Sequence, residues 1–182
     1  AITVSCDTFF YGLGLELGVN RMNKTLSKYY FGKKTGVDML NEKIGLLADE
    51  EWKKNKFNKP WYGGETAITA IGQGFTQVTP IQLAYATALI ANPELNKKPH
   101  LLLYSEKKEL FKNIQETPKV NSKDLKLVND AMIGVTEDGG TAAFIGKNIS
   151  YKIAAKTGTA QVFSLKGQEY DEENLPENLK DH

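Results

Sequence analysis

The 182-residue chain is long enough for one domain with a real core, and 41% hydrophobic with 10% aromatic residues is the make-up of a folded globular protein. Its 23 basic and 22 acidic side chains leave a net charge of +1, so no global field selects nucleic acid or an anionic membrane as the main partner. The lone cysteine, Cys6, cannot close an intramolecular disulfide, and no run of 18 or more apolar residues marks a membrane span.

In chain order, Thr8 is the expected cap of a first helix with Phe9, Phe10, Leu13 and Leu17 on its inner side, ended by Gly18 in a left-handed conformation. Ser5, Cys6 and Asp7 then fall on the turn before it. A second helix is expected from the cap Asn20, with Met22, Leu26 and Tyr29 inward and a stop near Gly32. Asp49 to Lys56 reads as a short exposed helix, and Pro60, Gly63 and Gly64 as a loop. Thr79-Pro80-Ile81-Gln82 combines a capping box with proline at the first helical position, so a helix should run to about Asn92. Pro99 to Tyr104 and Glu109 to Ile114 suggest a strand pair. Ser122 caps a further helix carrying Leu125, Val128, Met132 and Val135, ended by Gly139-Gly140. Tyr151 to Phe163 reads as a strand, and Gly167 to Asp181 as a polar loop with a short helix. The abrupt start at Ala1 and the loose end at His182 read as those of a fragment.

Lys156-Thr157-Gly158-Thr159 is the sharpest signal. A Lys-Thr-Gly followed by Ser or Thr arises by chance in roughly 1% of chains this long. The bland alternative is a strand with a bulge glycine and a solvated lysine. The chemistry favours more: an extended segment of this kind offers a cation, two hydroxyls and backbone groups to a peptide laid along it. A substrate ending in a free carboxylate needs that cation and those hydroxyls. Gly158 permits close approach, and the Thr159 N–H is placed to hold an oxyanion.

Lys-Thr-Gly with a Ser-x-x-Lys nucleophile motif and a Ser-x-Asn triplet is the signature of penicillin-binding proteins and class A β-lactamases. Ser5-Cys6-Asp7 occupies the place of the middle triplet. Such a triplet is worthless alone, but it stands ahead of a Phe-rich helix and upstream of Lys156. A helix-capping role for Ser5 or Asp7 is compatible with it. Pro60-Trp61-Tyr62-Gly63-Gly64-Glu65-Thr66, Ile71-Gly72-Gln73-Gly74, Thr79-Pro80-Ile81-Gln82 and Gly139-Gly140-Thr141-Ala142 extend the likeness over nearly the whole chain, which resembles the elongation-type class B penicillin-binding proteins. Without that likeness, Gly72-Gln73-Gly74 is only a tight loop.

The resemblance implies an α/β (α+β) fold of the penicillin-binding transpeptidase or serine β-lactamase-like kind, an antiparallel sheet flanked by helices, with residues 1–182 forming the C-terminal part of the domain. It implies a serine D,D-transpeptidase that cross-links peptidoglycan stem peptides ending in D-Ala-D-Ala and is a target of β-lactams. Ser5 inherits a proton relay to the leaving amine and Lys156 keeps the network electropositive. Thr157, Gly158 and Thr159 grip the substrate. Asp7 departs from the usual asparagine: an ionised carboxylate only accepts hydrogen bonds, which puts the amide-donor role in doubt and suggests pairing with the nucleophile's lysine instead. Further implications are a SEDS-family glycosyltransferase and an MreC-type scaffold as partners, and a place on the periplasmic face of the bacterial inner membrane through a tether outside this chain.

The nucleophile motif itself is missing. Only Ser105 has a lysine three places on, and Ser105-Glu106-Lys107-Lys108 is a charged turn, whereas an activating lysine needs partial burial on a helix. The resemblance places the nucleophile helix before Ala1 and the last strands after His182, so this chain alone is expected to be inactive. No cofactor is implied, and His100, His182 and Cys6 have no ligand-spaced companions for a metal. Gly140 to Lys147 fails as a phosphate loop, since Asn148 stands where Ser or Thr is required. Lys53, Lys54, Lys56 and Lys59 beside Trp61 and Tyr62 read as a solvated lysine face rather than an anion-binding patch. Two alternatives stay open: a D,D-carboxypeptidase or β-lactamase-like hydrolase on the same fold, and a non-catalytic β-lactam sensor or scaffold module.

Overall fold

The computed structural model describes residues 1–95, 97–102 and 118–160. Seven helices carry this part of the chain: α1 Asp7–Leu17, α2 Val19–Leu26 with a 3-10 turn Ser27–Tyr29 after it, α3 Glu50–Phe57, α4 Gly63–Ala70, α5 Pro80–Ala91, α6 Ser122–Gly134 and the single turn α7 Ala143–Gly146. Among the described residues the only strand-like pairing is one antiparallel bridge, Leu46 with Gln77. The segment 152–160 has no ladder partner among the described residues. Of the expected strand pair, Pro99 to Leu102 is described and forms no strand; its remainder, the end of the Lys-Thr-Gly strand at Gln161 to Phe163, the Ser105 turn and the stretch from Gly167 lie outside the described residues.

α1 starts two residues earlier than its sequence suggests. Its cap is Cys6, not Thr8, and no side chain caps it, so neither Ser5 nor Asp7 serves that purpose. Asp7 still favours the start electrostatically, being an acid in the first turn. Gly18, at φ 76° and ψ 152°, ends α1 and is also the cap of α2, a backbone state that only glycine adopts without strain. The expected cap Asn20 is therefore already inside α2.

The buried stripe of α1 also differs from expectation. Phe9 and Leu13 are exposed, and the packed side is Phe10, Gly14 and Leu17. Gly14 sets this rotation: α1 lies so close to α4 that a Cβ added at Gly14 would come within 2.3 Å of the Ala70 Cβ. α4 itself was hidden by Gly63 and Gly64, which disfavour helix. It forms because Glu65 accepts the Tyr62 N–H at 2.8 Å and Thr66 and Thr69 are buried.

α3 is capped by Asp49, whose Oδ1 accepts the Trp52 N–H at 2.8 Å. Its lysines are not all solvated. Lys53 is only 5% exposed, and its ammonium both pairs with Glu65 and sits 4.5 Å from the centre of the Tyr62 ring. Trp52, Phe57 and Trp61 gather round Phe75, at centroid distances of 5.1, 5.7 and 6.5 Å. This cluster braces the loop that follows α4.

The capping box of α5 is as the sequence predicts: Gln82 N–H donates to Thr79 Oγ1 at 3.2 Å, and Thr79 N–H donates to Gln82 Oε1 at 2.9 Å. Gln82 is fully buried because its Nε2 also donates to Lys33 O and Ile44 O, at 2.7 and 2.8 Å, which ties the 33–44 loop to α5. Tyr85 and Leu89 form the core beneath, packed by Tyr29, Tyr30 and Leu95. α6 is capped by Asn121 rather than Ser122 and ends at Gly134, five residues before the expected Gly139. Val135, just past its end, is completely buried.

Candidate active site

The two segments that carry the expected site both hang on the C-terminal end of α6. A helix leaves its last carbonyls short of donors. Thr3 Oγ1 donates to Ala131 O at 3.0 Å, and the Ala155 N–H donates to Met132 O at 3.0 Å. Just beyond, buried Thr136 donates through Oγ1 to Ile153 O at 2.8 Å. Ser5 and Lys156 are thus each held within two residues of a bond to the same helix.

Ser5 closes the turn before α1, with its N–H on Ile2 O at 3.1 Å and the Cys6 N–H on Ala1 O at 3.0 Å. Its φ of 50° is left-handed, a state costing a residue with a side chain about 1–2 kcal/mol. Strain of this kind persists only where the surroundings over-determine it.

The Lys156 ammonium uses all three of its donors locally. They reach Ser5 Oγ at 2.8 Å, Thr157 O at 2.9 Å and Thr157 Oγ1 at 3.3 Å. Because the ammonium can only donate, the Ser5 oxygen accepts, and the hydroxyl's own proton remains available to a third group. Thr157 Oγ1 also lies 3.2 Å from Thr141 Oγ1.

These groups line a cleft of about 420 Å³ with three walls. Ser5, Asp7 and Phe10 come from the start of α1, Ala70, Ile71 and Gln73 from the end of α4, and Lys156, Thr157, Gly158 and Thr159 from the extended segment. All six residues singled out from the sequence therefore meet in one place. The arrangement can hold an anion beside a cation and move a proton through a serine, with a carboxylate, Asp7, on the facing helix.

A family model described as penicillin binding protein transpeptidase domain matches residues 1–176. The chain belongs to the penicillin-binding transpeptidase family. Over 98% of its length it is 39% identical to peptidoglycan D,D-transpeptidase MrdA of Escherichia coli strain K12, of which it spans 29%. Among solved structures it is similar to penicillin-binding protein 2 of Pseudomonas aeruginosa in complex with WCK 5153, with a TM-score of 0.75 and 37% identity over 86% of this chain and 36% of that one. It is similar too to penicillin-binding protein 2 of Helicobacter pylori in complex with MreC, with a TM-score of 0.74 and 40% identity over 89% of this chain and 30% of that one. The chain thus spans roughly a third or less of these relatives and shares the penicillin-binding transpeptidase fold.

Within this family member, four cleft residues lie outside those six, Phe10, Ala70, Ile71 and Gln73, and two of them read differently from sequence. Gln73 reads from sequence as part of a tight Gly72-Gln73-Gly74 loop, yet its side chain belongs to the cleft wall and has no hydrogen-bond partner among the described residues. Phe10 reads as core but is only partly buried and lines the cleft. A signal for Gln73 exists: a polar side chain between two glycines at positive φ is held by backbone geometry rather than by packing. No helix among the described residues is long and apolar enough to cross a membrane.

Proposed function

We propose that residues 1–182 form the C-terminal part of the transpeptidase domain of an elongation-type serine D,D-transpeptidase. The supporting observation is the Lys156–Ser5 hydrogen bond of 2.8 Å at the wall of a cleft whose other members include Thr157, Gly158 and Thr159. In this reading a serine upstream of Ala1 attacks the carbonyl carbon of the penultimate D-alanine of a stem peptide. The oxyanion that forms takes a hydrogen bond from the Thr159 N–H. The carbonyl–nitrogen bond then breaks, and the departing amine of the terminal D-alanine receives a proton through the Ser5 hydroxyl. An amine of a neighbouring strand attacks the resulting ester, loses its proton and releases the serine.

Lys156 supplies a positive field to the substrate's terminal carboxylate, and the Thr157 and Thr159 hydroxyls grip it. β-Lactams occupy the same cleft as mimics of the stem. Asp7, an acceptor on the facing helix, pairs with the nucleophile's lysine. The segment 152–160 belongs to the antiparallel sheet that the family's fold implies. The protein works at the periplasmic face of the inner membrane beside an MreC-type scaffold, as the Helicobacter pylori relative in complex with MreC suggests. By the same family likeness, its polymerising partner is a SEDS-family glycosyltransferase.

The test is incubation of the full-length protein with a stem peptide ending in D-Ala-D-Ala and an amine acceptor. Release of D-alanine together with acceptor-linked product is expected. Release with only a hydrolysed stem favours a carboxypeptidase. No release, and no β-lactam adduct on folded protein, favours the non-catalytic module and overturns the enzymatic reading.

A further inference from the structure

Thr141 has no part in the chemistry proposed above, yet its backbone is fixed on both sides. The Gly140 N–H bonds Glu137 O at 2.9 Å, the Thr141 N–H bonds Thr3 O at 3.3 Å, and the Ala142 N–H bonds Val135 O at 2.9 Å. A Cβ added at Gly140 would come within 2.2 Å of Gly134 O and 2.3 Å of Val135 O, so this loop lies hard against the end of α6. The result is a Thr141 hydroxyl held 3.2 Å from the Thr157 hydroxyl, outside the ring of residues that line the cleft.

A hydroxyl has one proton and two acceptor positions. One acceptor position of Thr157 Oγ1 is already taken by the Lys156 ammonium at 3.3 Å. Between the two threonines either oxygen can donate. Besides solvent, the Thr141 hydroxyl has no other side-chain partner among the described residues. When Thr141 donates, both acceptor positions of Thr157 are filled and its proton is forced out into the cleft. When Thr157 donates, its proton is turned away from the cleft. An anionic ligand decides between these states, because a hydrogen bond to a carboxylate is roughly twice as strong as one to a neutral hydroxyl.

The geometry points to Thr141 as a positioning residue that acts through Thr157, presenting the Thr157 proton to the carboxylate of the bound ligand. This inference rests on the transpeptidase reading of the cleft. Thr141 is exposed, and valine keeps its shape while removing the hydroxyl, so the fold should tolerate the change.

The experiment measures acylation of the full-length protein by benzylpenicillin and by its methyl ester, resolving the dissociation constant of the encounter complex from the rate of acylation. Thr141→Val should weaken the encounter with the free acid by about 3- to 10-fold, the worth of one hydrogen bond, and leave the acylation rate near that of the unsubstituted protein. With the ester the loss should vanish, and Thr141→Ser should restore binding of the acid. Thr141→Ala gives the same comparison should the valine variant not fold. An equal loss with acid and ester, a loss confined to the acylation rate, or no loss at all overturns the role of Thr141. If the unsubstituted folded protein takes no label from either compound, the transpeptidase reading itself fails.

Discussion

The Lys156 ammonium nitrogen lies 2.8 Å from the Ser5 hydroxyl oxygen although 151 residues separate the two in sequence. The carbonyls at the end of α6 make this possible, since Thr3 and Ala155 bond to the neighbouring acceptors Ala131 O and Met132 O. A helix end with spare acceptors therefore sets the register between a proton-carrying hydroxyl and the charge that polarises it.

The strain at Ser5 separates function from stability. Ser5→Gly removes the hydroxyl and relieves the left-handed backbone, so unfolding stability should be unchanged or raised by up to about 1 kcal/mol, while stem-peptide turnover falls by roughly 100- to 10,000-fold. Ser5→Ala should lose turnover equally without the gain in stability. Chemical denaturation beside a turnover assay checks both. Turnover retained in either variant contradicts the relay.

The contact between α1 and α4 should be sensitive to a single methyl group. Gly14→Ala forces a clash with Ala70 and should cost about 1–3 kcal/mol, while moving the Ser5 and Asp7 wall away from the Gln73 wall. Adding Ala70→Gly should recover most of both stability and β-lactam labelling. A second substitution that recovers nothing speaks against this contact.

Glu65 carries two duties, pairing with buried Lys53 and accepting the Tyr62 N–H at the start of α4. Glu65→Ala should lower unfolding stability by about 2–4 kcal/mol, because an unpaired ammonium is left almost completely buried. Replacing Lys53 by Met in the same molecule should return part of it. Urea denaturation of the two variants decides the matter, and a harmless Glu65→Ala contradicts the packing.

Asp38 links the 36–45 loop to the segment before residue 103. Its carboxylate accepts the N–H groups of Leu101 and Leu102 at 2.6 and 2.8 Å, which hold its pKa below the ordinary aspartate value. A lowered folded-state pKa means that the link is fully present above the unfolded value, about 3.9, and is lost as pH falls through the lower folded one. The Leu101 and Leu102 amide resonances should therefore titrate with a midpoint below 3.9 or thereabouts, and Asp38→Asn should abolish the transition. A midpoint at or above that of a free aspartate contradicts the pairing.

Features set by neighbours in sequence were legible from the start. The Thr79 to Gln82 capping box and the Lys156 to Thr159 motif are local patterns whose chemistry is contained in a few residues. Features set by distant packing were not. The α1 stripe turns on Gly14 meeting Ala70, and the burial of Lys53 depends on Tyr62 and Glu65, contacts for which helical periodicity carries no signal. α4 was obscured by its two opening glycines, since the capping by Glu65 and the burial of Thr66 and Thr69 outweigh their low helix propensity. Gln73 reads as loop geometry because the residues with which it lines the cleft, Ser5 and Lys156 among them, are far from it in sequence.

The most direct test is the second-order rate of acylation of the full-length protein by a fluorescent penicillin, compared with that of Lys156→Ala. Removing the ammonium that touches Ser5 and Thr157 should slow acylation by roughly 100-fold or more while the protein stays folded. A folded Lys156→Ala protein that is acylated as fast as the unsubstituted one would contradict the account of this cleft.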